Sequence, residues 1–134
     1  MQAILAASEH AEGLAREIAR ACDDEDQCTE IMATNGHTGL IWLLGAGPDS
    51  MTTTLAVGAL VHLSSHALAA GSDPQLIEAG VVAPTVALLR TAPTASNEDV
   101  LANAAYVVGN LAQTSAGIEA CQKAGAIVPL VSLL

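Results

Sequence analysis

Aromatic side chains are almost missing: Trp42 and Tyr106 stand alone among 134 residues, and there is no Phe. A core without rings must come from Ala, Leu, Val and Ile, packed on surfaces that approach closely. Positive charge is nearly as scarce. Arg16, Arg20, Arg90 and Lys123 face 14 acidic residues, for a formal net charge of −10. Such a chain has no basic patch for nucleic acid or an anionic membrane, although it admits a basic partner. Solubility or adaptation to salt explains the same excess. Cysteine is limited to Cys22, Cys28 and Cys121, an odd number without metal-ligand spacing, so a disulfide framework is not expected. A basic leader is lacking after Met1, Gln2 excludes N-myristoylation, and apolar runs such as 54–63 are short for a bilayer. The expectation is a soluble intracellular chain, cytoplasmic or nuclear.

What is present is a repeat. Residues 79–89 read AGVVAPTVALL, and residues 124–134 read AGAIVPLVSLL. Gly80 and Gly125, Pro84 and Pro129, and Leu89 and Leu134 all stand 45 residues apart. Another 45 residues back, Leu44 closes a third copy, in which Asn35 replaces the Gly and Gly39 the Pro. A period between 20 and 50 residues indicates a solenoid. Gly, or Asn in its place, can take the left-handed conformation that ends a helix. Pro fits the first turn of the next helix, where its missing N–H costs nothing. Each unit then reads as short helix, tight turn, second helix, loop and third helix.

In chain order, residues 3–22 form a helical pattern through Ile4, Leu5, Leu14, Ile18 and Cys22, the third helix of a partial repeat over 1–25. The acidic run Asp23–Asp26 follows as a solvated loop or a docking point for Lys or Arg, with Asp26 or Thr29 as a helix cap. A first full repeat over 26–70 has a short helix at 28–33, a second at 40–44 and a third at 50–66, capped by Ser50. A second full repeat spans 71–114, with Ser72 or Asp73 as cap, the long loop 91–97 and a third helix at 98–113. That loop is three residues longer than its counterpart and the next is three shorter, so the period survives. A partial repeat over 115–134 supplies two helices, and Ile127, Val128, Leu130, Val131, Leu133 and Leu134 leave its end apolar. A solenoid end normally carries a polar cap. The segment therefore reads as a fragment of a longer array, or as one whose ends associate.

With Gly80, Pro84 and the Leu pair before it, the third helix AAYVVGNLA at 104–112 resembles the armadillo repeat. The resemblance implies an all-α, right-handed α-solenoid of three-helix repeats whose third helices line a concave groove. In the importin-α branch of that family, a Trp and an Asn four residues apart hold an extended peptide. Asn offers a donor and an acceptor to a peptide backbone, and aromatic faces attract Lys or Arg. Here Tyr106 takes the Trp place and Asn110 the Asn place, with Asn103 and Gln113 on the same stripe. The matching residues are Leu55, Gly58, His62 and Ser65 in the first full repeat, and His10, Gly13, Glu17 and Arg20 in the N-terminal helix. One repeat alone keeps the pair. Asn110 can equally serve as a structural polar group and Tyr106 as packing between helices.

No phosphate loop, nucleophile elbow or acid pair appears, and the adjacent residues of Ser64-Ser65-His66 point to different helix faces, so no enzyme is expected. His62 and His66 have metal-ligand spacing but lack a third ligand, so neither metal nor cofactor is expected. The function expected is a non-catalytic scaffold that binds a peptide or partner protein through Asn103, Tyr106, Asn110, Gln113 and His62. Replacing Asn110 with Ala should weaken a groove ligand and leave the fold nearly intact. The alternatives are an importin-α-like adaptor for basic nuclear-localisation peptides and a self-assembling structural module. An enzyme would need a catalytic domain outside this segment.

Overall fold

A computed structural model describes residues 2–132, with side chains for residues 12–131. The side chains of Ile4, Leu5 and His10, and the residues Leu133 and Leu134, lie outside the described residues. Every regular element described is helical: α1 (Gln2–Ala21), α2 (Glu25–Ala33), α3 (Gly36–Leu43) with a 3₁₀ turn at Leu44–Ala46, α4 (Met51–Ala70), α5 (Asp73–Glu78), α6 (Val82–Leu89), α7 (Glu98–Leu111), α8 (Ser115–Lys123) and α9 (Ile127–Ser132).

The short-helix junctions turn as the repeat predicts. Asn35, Gly80 and Gly125 have φ of 63°, 85° and 73°, the left-handed region. The amides of Val81 and Ala126 then reach back to the carbonyls of Leu76 and Cys121, at 3.3 and 3.1 Å. These bonds satisfy carbonyls that the helix end would otherwise leave open. Pro84 and Pro129 sit in the first turns of α6 and α9, where an amide hydrogen has no intrahelical partner.

Capping departs from expectation at one helix. Asp24, rather than Asp26 or Thr29, caps α2: its carboxylate accepts the Asp26 amide at 2.9 Å. Asp24 is extended and so faces the free amides, whereas the Thr29 hydroxyl lies inside the helix and donates to the Glu25 carbonyl at 3.1 Å. Glu25 and Asp26 occupy the first turn, where the helix dipole favours acids. Ser50 caps α4 as expected, accepting the Thr52 amide. Ser72 holds the cap position of α5 without a side-chain cap bond.

α4 is the centre of the array, packed along α1 on one side and α7 on the other. It runs to Ala70, past the expected His66, because Ala67, Leu68, Ala69 and Ala70 favour helix and the left-handed Gly71 is the first residue to stop it. Its 20 residues are long and apolar enough to cross a membrane by length and composition, a test that the run 54–63 alone had failed. In the fold its Ala56, Val57, Ala59, Leu60 and Leu63 are buried in the core, joined by Leu40, Leu76, Val81, Val86, Val107 and Leu111.

The apolar face predicted for α1 is shifted. Ala15 and Cys22 are buried and Ile18 partly so, but Leu14 is exposed. Trp42 also points outward from α3, 79% exposed. The long loop before α7 is held by Asn97, which accepts the Thr94 amide at 2.7 Å and donates to the Ala92 carbonyl at 3.0 Å. Ser96 ties it to the preceding loop by donating to Asp49 at 2.8 Å.

Candidate functional site

The row α1–α4–α7 presents one face on which chemistry-bearing side chains collect. A cleft of ≈ 420 Å³ opens there. Its lining comes from three places: the turn into α2 with Asp23 and Glu25, α4 with His62, Ser65 and His66, and α7 with Tyr106. His62 Nε2 lies 3.6 Å from Asp23 Oδ1, and His66 Nε2 lies 3.1 Å from the Thr29 hydroxyl. Tyr106 stands exposed on α7. Carboxylates and a free aromatic face around one cleft form an environment for a cation on an aliphatic stem.

The five sequence-predicted residues divide. Tyr106 and His62 meet at this cleft. Asn103 is partly buried and Gln113 is exposed, just past the end of α7, and neither lines the cleft. Asn110 is buried instead, and its amide points inward: Nδ2 donates to Ser64 Oγ at 3.0 Å and to the Val61 carbonyl at 3.4 Å. Asn110 thus pins α7 to α4, so its replacement carries a cost in stability that the sequence did not suggest.

Sequence reasoning missed Asp23, Glu25 and His66 as neighbours of Tyr106. From sequence the acidic run reads as a solvated loop or a docking point for Lys or Arg, and nothing in a linear reading joins residue 23 to residue 106.

Cys22 and Cys28 also border the cleft, and both are buried. Burial, reinforced by the neighbouring Cys28, pushes the Cys22 thiol up to about 12. Burial likewise raises Cys28, whose thiol donates to the Cys22 carbonyl at 3.1 Å. Neither has the thiolate character that nucleophilic or redox chemistry requires. Among the described residues no group of three or more His, Cys, Asp or Glu is arranged to hold a metal ion.

The fold has solved counterparts. A designed armadillo repeat protein, YIII(Dq)4CqI, superposes with a TM-score of 0.75 at 26% identity, over 91% of this chain and 49% of that one. A second, designed armadillo repeat protein YIII(Dq.V1)4CPAF in complex with peptide (KR)4, gives 0.74 at 28% identity, over 93% and 49%. This chain thus spans about half the length of those designs. No protein-family model and no curated protein matches it.

Proposed function

We propose, for a chain that folds as an all-α array of armadillo-type repeats, a non-catalytic role as a scaffold that binds an extended peptide along its third-helix face. The peptide carries at least one Lys or Arg. The observation that carries this reading is the cleft in which Asp23 and Glu25 stand with the exposed Tyr106. The basic side chain lays its stem on the Tyr106 ring and its charge toward the two carboxylates. His62 lines the same cleft, Asn103 and Gln113 extend the contact along α7, and Asn110 holds α7 in register with α4. One designed neighbour was solved with the peptide (KR)4, which lends support to a basic ligand.

Calorimetric titration with an alternating Lys-Arg peptide and with a Ser-Gly peptide of equal length tests the proposal. The basic peptide should bind, more weakly at high salt, and Tyr106→Ala or Asp23→Asn with Glu25→Gln should weaken it about tenfold. Equal binding of the two peptides, or affinity indifferent to these substitutions, overturns it.

A further inference from the structure

The cleft that holds Asp23 and Glu25 also holds two histidines, placed where the positive charge of a ligand would go. His62 and His66 lie four residues apart on one face of α4, and both line the cleft. His62 Nε2 is 3.6 Å from Asp23 Oδ1. A protonated ring completes an ion pair with that carboxylate, which a neutral ring does not.

His66 is oriented by a different bond. The Thr29 hydroxyl has one hydrogen and donates it to the Glu25 carbonyl at 3.1 Å. Towards His66 Nε2, also 3.1 Å away, it therefore accepts. The neutral His66 ring thus carries its hydrogen on Nε2, and a second proton goes to Nδ1 without breaking that bond. Protonation of His66 sets a second positive charge within the same cleft.

The charges around these rings can be counted. Asp23 and Glu25 face them from the turn into α2. The buried Cys22 and Cys28 stay thiols, since burial raises both, and α7 adds the Tyr106 phenol. Among the described residues, no charged side chain of α1, α3 or α5 lines the cleft, and the Asp24 carboxylate is turned to the α2 amides. The formal charge of the cleft is therefore that of two carboxylates when both rings are neutral. It vanishes when both are protonated.

We propose that His62 and His66 make the cleft a pH-gated cation site: in mild acid their own positive charges stand in for the Lys or Arg of a ligand, and near neutral pH the two carboxylates are free to bind it. This rests on the basic-peptide reading of the same cleft. His62 acts directly, by pairing with Asp23, whereas His66 acts by charge alone because Thr29 holds its Nε2. The gate works between about pH 5.5 and 8, where imidazoles titrate while carboxylates, Lys and Arg ordinarily keep their charge.

Calorimetric titration of the alternating Lys-Arg peptide at pH 8 and pH 5.5, at one ionic strength, tests it. The parent should bind about fivefold more weakly in acid, the scale of exposed charge contacts. His62→Gln should lose most of that difference, and His62→Gln with His66→Gln nearly all of it. Helical dichroism checks that each protein is folded at both pH values. Ionisation elsewhere, that of buried His37 included, is common to parent and variants and drops out of the comparison. Should loss of the Thr29 bond unsettle the double variant, His62→Gln alone decides, because the direct ion pair is its own. Binding equally tight at both pH values, or tighter in acid, overturns the gate and leaves the peptide reading standing. So does a pH dependence that survives in the variants. Absence of binding at pH 8 overturns both.

Discussion

Arg90 Nη2 donates to the carbonyl oxygen of Ala124 at 2.8 Å, 34 residues further along the chain. Ala124 is the C-cap of α8, so a fixed cation sits where that helix gathers partial negative charge. The position 45 residues before Arg90 is Gly45, which has no side chain to make the same clasp at the preceding junction.

Arg90→Ala should therefore lower unfolding free energy by about 1 kcal/mol, a charge-assisted bond discounted for exposure. Arg90→Lys should restore only part of it, because an ammonium lacks the guanidinium fork. Urea denaturation of the three proteins gives the comparison.

Asn110→Ala should cost about 1–2 kcal/mol, since it removes the buried amide that joins α7 to the Val61 carbonyl and to the Ser64 hydroxyl, which keep only their own bond to each other. Ser64→Ala should cost less. The double variant should lose less than the sum, because both act in one network. Strict additivity in thermal or urea unfolding would show that the three groups are not coupled.

His37 is buried on α3, its Nδ1 has no hydrogen-bond partner, and burial lowers its pKa from 6.5 against a weaker pull from the Ile31 backbone. The unfolded chain therefore binds the proton first. Stability contributed by the neutral ring is present above about pH 6.5 and is lost as the pH falls through that value toward the folded pKa. Val stands at the equivalent position 82, so His37→Val should stabilise by about 1 kcal/mol at neutral pH by removing the orphaned nitrogen. Its advantage should widen in acid. An advantage that is flat between pH 7.5 and 5 would refute the linkage.

Gly117 lies in the first turn of α8, so close to the Leu111 carbonyl that an added Cβ would collide with backbone. Gly117→Ala, ordinarily favourable in a helix, should instead destabilise by about 2 kcal/mol. The sign of the shift in melting temperature decides it.

The three free thiols are buried, and burial raises each of them. A thiol-reactive reagent at neutral pH should label the native protein slowly and all three sites promptly in denaturant. Prompt labelling of Cys22 in the native state would contradict its environment.

The repeat, its turns and its third helices were legible because each rests on local chemistry: Asn35, Gly80 and Gly125 where φ is positive, Pro84 and Pro129 where an amide is spare. The orientation of side chains was less so. Leu14 and Ala15 both fit an apolar helix, and only the close approach of α4 decides that the smaller one goes inside. Asn110 reads as a surface residue in its own repeat. Its burial follows from Ser64 and Val61 in the repeat before, at a distance along the chain that no local pattern spans. The cleft depends in the same way on Asp23 meeting His62 and Tyr106.

The outward position of Trp42 has a practical consequence for spectroscopy. With the indole already in water, intrinsic fluorescence changes little on unfolding, and its emission starts red-shifted. Melting of this protein is followed by helix dichroism instead, while Trp42, which does not line the cleft, serves as a built-in optical label for whatever approaches the exposed face of α3.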